Sequence, residues 1–341
     1  MNRRVFVGFV FMAGGLLLGA CAHAPQRDTS LQPIIDVHFH ATGAEEQGPP
    51  PLAMCVSGES LPVWDPRKPW AEPFTVWLKQ PTCSDPVWSQ TTDEAVMRES
   101  IEVLRRYNIT ALTSGGAEGL VEKWHAAEPT RIVPTLYFNL ADPQHPSVET
   151  VRQWFKEGRY KALAEVTNQY GGIEPNDPAF EPYLALAEEL DVPVGIHIGA
   201  GPPGAPYLGF EKYRARMHSP LALEEVLMKH PKLRIYVMHA GWPMLDDMLA
   251  VMWAHPQVYV DTGVIIYALP KAEFYRYLQR LVEAGFGNRV MFGSDQMVWP
   301  GVVPKALQLI EQAPFLSEAQ KRDILYNNAA RFLRMEGASA K

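Results

Sequence analysis

The chain has 341 residues, of which 47% are hydrophobic and 20% charged, and a net charge of −7. That length and apolar content suit one large domain with a substantial core. The acidic balance and the lack of a clustered basic stretch exclude a surface suited to nucleic acid.

The N-terminus carries Arg3 and Arg4, then an apolar run over 5–20, then Cys21. At roughly 16 residues that run falls short of the ~20 needed to span a bilayer, and it reads as a signal peptide. Leu18-Gly19-Ala20-Cys21 resembles the bacterial lipobox, in which the cysteine is lipidated and becomes the first residue. The expectation is a signal peptide over 1–20, a tether over 21–32 and a lipid anchor in the cell envelope, at the periplasmic face of the outer membrane in a Gram-negative organism. With Cys21 lipidated, Cys55 and Cys83 remain in an oxidising compartment, where a disulfide between them is expected. Two free buried thiols or thiolate metal ligands are the alternatives, though no C-x-x-C spacing supports the latter.

Short apolar runs then alternate with helical patterns. Strands are predicted over 33–38, 109–114, 131–138, 161–166, 192–198, 233–239, 257–262 and 289–294, all near-continuous in Val, Ile, Leu, Tyr and Phe, as parallel strands buried on both faces require. Helices are predicted over 92–107, 118–127, 147–157, 178–190, 220–230, 243–254, 271–284 and 303–313. Thr91-x-x-Glu94 and Ser317-x-x-Gln320 match capping boxes. Eight β/α units predict an α/β fold, a (β/α)₈ TIM barrel over 33–338, with a doubly wound sheet as the alternative. Residues 43–92 interrupt the alternation with nine of the 30 prolines and four of the nine tryptophans. So much aromatic surface seeks burial. Because this Pro/Trp-rich insertion follows the first strand, it is expected to form a lid beside the substrate pocket, or else a packed decoration.

In such a barrel, catalytic groups sit at the C-terminal ends of strands. Those ends carry His38 and His40, Glu165, His197, His239 and Asp295. Alternate residues on a strand share a face about 6.6 Å apart, so His38 and His40 can converge on one cation. Imidazoles and carboxylates suit zinc and related divalent ions, in one or two sites. Asp295 suits a ligand that also moves protons, and His239 suits an acid or an oxyanion stabiliser. Glu165 is expected either to contact metal or to orient a histidine. Tyr170, with Asn168 and Gln169, and Arg214, with Arg216, are candidate substrate contacts, while Asp36 is expected to orient the first histidines.

Asp36-x-His38-x-His40, Gly195-Ile196-His197-Ile198-Gly199, His239-Ala240-Gly241 and Gly293-Ser294-Asp295 together resemble the amidohydrolase superfamily. Asn328-Ala329-Ala330-Arg331 is similar to the closing helix of its amidohydrolase-related branch, which includes aminocarboxymuconate-semialdehyde decarboxylase. The resemblance implies that His38, His40, His197 and Asp295 hold a metal, with His239 catalytic or binding a second ion. Strand four offers Glu165 where binuclear members often carry a carboxylated lysine. A metal-dependent hydrolase of an amide, lactone or other ester is expected, with a non-oxidative decarboxylase or a non-catalytic metal-binding lipoprotein as alternatives. The expected partner is a small-molecule substrate.

Overall fold

A computed structural model describes residues 32–335 except Glu59 and Glu118. The predicted signal peptide, the lipidation site Cys21 and all of the tether but Gln32 lie outside the described residues, as do the last three residues of the predicted barrel. Among the described residues no helix is long and apolar enough to cross a membrane.

The described residues begin with β1 (Ile34–His40), pass through a small antiparallel pair, β2 (Ala53–Met54) and β3 (Val87–Trp88), and then build the wall. The wall strands are β4 (Ile109–Ser114), β5 (Ile132–Pro134), β6 (Leu136–Phe138), β7 (Leu163–Val166), β8 (Val194–His197), β9 (Ile235–Met238), β10 (Val258–Asp261) and β11 (Val290–Met291). All wall neighbours are parallel, in the orders β1-β4-β5 and β6-β7-β8-β9-β10-β11. The predicted strand 131–138 is divided at Thr135, because Pro134 brings no N–H to a ladder. Thr135 donates to the Thr113 carbonyl on one side, and Leu136 donates to the Ala162 carbonyl on the other. The halves therefore act as one wall position between β4 and β7. The last seam closes where Val37 donates to the Phe292 carbonyl at 3.0 Å and Asp295 to the His38 carbonyl at 2.7 Å. The result is the TIM barrel.

Strand alternation divides the core, except in β1, where an irregularity between Asp36 and Phe39 puts Val37 and Phe39 in different clusters. Ile35, Val37, Leu112, Tyr236, Met238 and Met291 pack together with Ala329 and Phe332 of the C-terminal helix. Ile34, Phe39, Ala111, Val194, Ile196, Ile235 and Val237 face the larger outer cluster shared with the surrounding helices. The helix predicted over 92–107 spans Asp93–Arg106, and its N-cap is Thr92, whose hydroxyl accepts from the Ala95 N–H. This corrects the Thr91 capping box by one residue. The Ser317–Gln320 box is made as expected.

The insertion contains a helix, Ala71–Lys79, absent from the sequence expectation. Cys55 and Cys83 form a disulfide with Cα atoms 5.9 Å apart. The insertion is tied to loops beyond three wall strands. The Trp70 indole donates to the Pro203 carbonyl after β8, Ser57 donates to Tyr267 after β10, and Trp299 after β11 donates to the Leu52 carbonyl. It therefore lies across the C-terminal face of the barrel.

Candidate metal centre

Six side chains from the ends of β1, β7, β8, β9 and β11 converge, and all are buried. His38 and His40 leave β1 on the same face because they are two positions apart, with only Phe39 between them. Glu165 comes from within β7, and His197 closes β8. His239 and Asp295 sit just beyond β9 and β11, where both take left-handed backbone conformations (φ 60° and 53°). Such conformations cost on the order of 1–3 kcal/mol each in non-glycine residues and cluster at functional sites.

Glu165 is the centre of the arrangement. Its Oε2 faces the first pair, 3.8 Å from His38 Nε2 and 3.6 Å from His40 Nε2. Its Oε1 faces the second pair, 2.6 Å from His197 Nδ1 and 3.7 Å from His239 Nε2. Asp295 Oδ1 completes the first group, 3.0 Å from His40 Nε2 and 3.8 Å from His38 Nε2. In the second group, His197 Nδ1 and His239 Nε2 lie 2.9 Å apart. Ligand atoms about 2.0–2.2 Å from a tetrahedral ion stand about 3.3 Å from one another, and both groups approximate that spacing.

Two observations show that this donor set fits a cation. The buried Nε2 of His38 has no hydrogen-bond partner, a costly state for an imidazole nitrogen unless something else engages it. Two imidazole nitrogens also crowd one carboxylate oxygen in the second group, which suits a shared positive charge. His38, His40 and Glu165 form one metal-competent grouping, and Glu165, His197 and His239 form another.

Neighbouring groups set the ring orientations. Asp261, at the end of β10, lies 3.0 Å from His38 Nδ1, which directs His38 Nε2 toward Glu165 and Asp295. The other Asp261 oxygen accepts from the backbone N–H groups of His239 and Gly263. With its lone pairs so occupied, Asp261 orients rather than ligates, although it also groups with His38 and His239. Gly263 is required here, since a Cβ would come within 2.5 Å of His38 Nδ1. Ser114 Oγ lies 3.1 Å from His40 Nδ1, and Gln296 pairs with both the N–H and the carbonyl of His40. The His239 Nδ1 faces the Gly263 carbonyl at 2.9 Å, which leaves Nε2 as its lone-pair nitrogen. Asp36 accepts from the N–H groups of His38 and Ser294 beneath the site, and burial pushes its carboxyl up to about 7.

The charge balance keeps both carboxylates of the cluster ionised. Burial alone would raise both, but imidazoles beside them hold Glu165 well below, and Asp295 below, the usual carboxylate range. Tyr170 packs its ring 4.8 Å from that of His197. Asn168 and Gln169 are buried, with Gln169 clasping the backbone of Gly199. Arg214 is exposed, and its guanidinium is committed to the carbonyls of Glu211 and Tyr213; Arg216 is likewise exposed. Sequence reading passed over Asp261, Ser114 and Gln296. Only Asp261 carried a usable signal, a carboxylate closing the predicted strand 257–262.

A model of the amidohydrolase family matches residues 35–335. A search of curated proteins finds no match. Among solved structures, the chain is similar to an uncharacterised TIM-barrel protein from Bordetella bronchiseptica, at 15% identity and a TM-score of 0.59, covering 89% of this chain and 99% of that one. It is similar to a probable 2-pyrone-4,6-dicarboxylic acid hydrolase from Acinetobacter baumannii, at 13% identity and a TM-score of 0.57, covering 89% and 100%. It is also similar to 5-carboxyvanillate decarboxylase from Sphingomonas paucimobilis, at 16% identity and a TM-score of 0.52, covering 89% and 99%.

Proposed function

The chain belongs to the amidohydrolase family, and from that premise we propose that it is a metal-dependent hydrolase of an amide, lactone or other ester bond. The observation that carries this reading is the division of Glu165, one oxygen toward His38 and His40 and the other toward His197 and His239. A carboxylate so shared suits two adjacent divalent ions, with zinc the first choice for this ligand set. When bound, such ions act as Lewis acids that polarise a carbonyl and lower the pKa of water to about 7.

The protein's own groups supply the rest. Asp295, ionised and beside His40, accepts the proton of the attacking water and returns it to the leaving group. His239, with Nδ1 engaged by Gly263, presents a lone pair toward His197 and Glu165, which favours the second-ion role over that of an acid. Asp261 fixes the His38 ring. Burial of all six ligand residues limits bulk water at the reacting atoms.

Non-oxidative decarboxylation is the second reading, supported by the likeness to 5-carboxyvanillate decarboxylase. It needs no attacking water, and there Glu165 would serve to hold the His197 ring, 2.6 Å from its Oε1. The two separate in one experiment on zinc-loaded protein, measuring acid production from esters, lactones and amides against carbon dioxide release from aromatic acids. Acid production without carbon dioxide is expected, and the reverse would sink the hydrolase reading. Turnover of neither class would leave a non-catalytic metal-binding lipoprotein. Anchorage through Cys21 is part of the proposal, and Cys21→Ser should abolish incorporation of labelled palmitate.

A further inference from the structure

Two tyrosines stand on the Glu165 side of the cluster without a task in the metal chemistry. Tyr137 is the middle residue of β6. Leu136 and Phe138 on either side are buried, Phe138 against Phe180 and Tyr183 of the outer core, so alternation turns Tyr137 toward the barrel mouth. Its hydroxyl accepts from Thr167 Oγ1 at 2.9 Å, two residues beyond Glu165. That bond fixes the phenol and leaves its own proton without an acceptor among the described residues. Tyr170 is wedged between the His197 ring at 4.8 Å, Phe210 at 4.7 Å and Tyr213 at 5.6 Å. The backbone at Gly201 passes so close that a Cβ there would lie 2.9 Å from the Tyr170 hydroxyl. That hydroxyl has no hydrogen-bond partner among the described residues.

Building on the hydrolase reading, we propose that Tyr137 and Tyr170 form a pair of hydrogen-bond donors to the substrate's carbonyl group, and that this pair selects substrates that place a carbonyl oxygen between the two phenols. Two aimed phenols with spare protons suit an oxygen acceptor, and a site built to hydrogen-bond one rejects analogues that lack it. Burial, with the Glu165 charge adding to it, pushes the Tyr137 hydroxyl up to about 12, so it stays a donor.

The test uses zinc-loaded protein, Tyr137→Phe, Tyr170→Phe and the double variant, with acetophenone as a carbonyl probe and ethylbenzene as its counterpart lacking the oxygen. Each single variant should weaken acetophenone binding about three- to tenfold, the span of one net hydrogen bond. The double variant should weaken it further, with ethylbenzene binding and zinc content unchanged. On phenyl acetate the same variants should lower kcat/KM by comparable factors. Unchanged acetophenone affinity in the double variant, or an equal loss for ethylbenzene, overturns the donor pair. If wild type releases acid from none of the esters, lactones and amides but the acetophenone preference follows the phenols, the hydrolase reading fails and the donor pair stands.

Discussion

Asp261 Oδ2 lies 3.0 Å from His38 Nδ1 in a region where both side chains are almost fully buried. A carboxylate in that position fixes the ring's tautomer and strengthens Nε2 as a donor to a cation. Asp261→Asn should therefore weaken zinc affinity by about 10- to 100-fold, the usual effect of losing such a partner. Competition against a calibrated chelator measures this. Wild-type affinity in the variant would show that His38 needs no support from β10.

Asp295→Asn separates proton transfer from metal binding. The amide keeps an oxygen that can face His40 but cannot take a proton, so turnover should be abolished. Zinc affinity should fall less than in His38→Ala, which removes a whole ligand. Normal kcat in the Asn variant would exclude Asp295 as the base.

The Cys55–Cys83 bridge closes a 28-residue separation within the insertion. On the chain-entropy view, a loop of that size contributes about 3–4 kcal/mol against unfolding of the region it staples. Cys55→Ser with Cys83→Ser should lower the urea midpoint and, if the insertion borders the substrate, raise KM with little change in kcat. A KM unaffected by verified loss of the bridge would confine the insertion to a packing role.

His218 gives the fold a pH dependence of defined sign. Burial, with the nearby His197 adding to it, pushes its imidazole down to about 4, against about 6.5 in the unfolded chain. Between those values the unfolded chain binds the extra proton, so this contribution is complete above about pH 6.5 and is lost as pH falls toward 4. The loss is at most about 3 kcal/mol. Urea titrations at neutral and mildly acidic pH should converge in His218→Gln relative to wild type, and parallel curves for the two proteins would remove His218 as the source.

Much of this architecture is legible in the chain before any coordinates. The wall strands are buried on both faces and so announce themselves as continuous apolar runs, and a polar residue ending such a run stands out, as His197 and His239 do. What is not legible depends on contacts across the barrel. Asp261 ends its strand as visibly as His239 does, but an aspartate at a strand end is ordinary until His38 is seen beside it. Tyr137 reads as one more aromatic in a strand because its inward direction depends on Leu136 and Phe138 facing the outer helices. The helix start near residue 92 is misread by one position because Thr91 and Thr92 are equally good caps by composition, and only the Ala95 N–H chooses between them. The insertion's helix is hidden by its prolines, and the Arg214 guanidinium is spent on local carbonyls that its position in sequence does not reveal.

The seam that joins β1 to the segment beyond β11 also dictates when the centre can come into being. His40 is clasped by Gln296 across 256 residues of chain, and Asp295 reaches the same ion locus only once that seam is closed. In an unfolded chain the first two histidines lie far in sequence from the other candidate ligands, so such a chain can hold a cation only weakly. Metal capture then becomes a signature of barrel closure, and only a chain with that seam made brings the six side chains together.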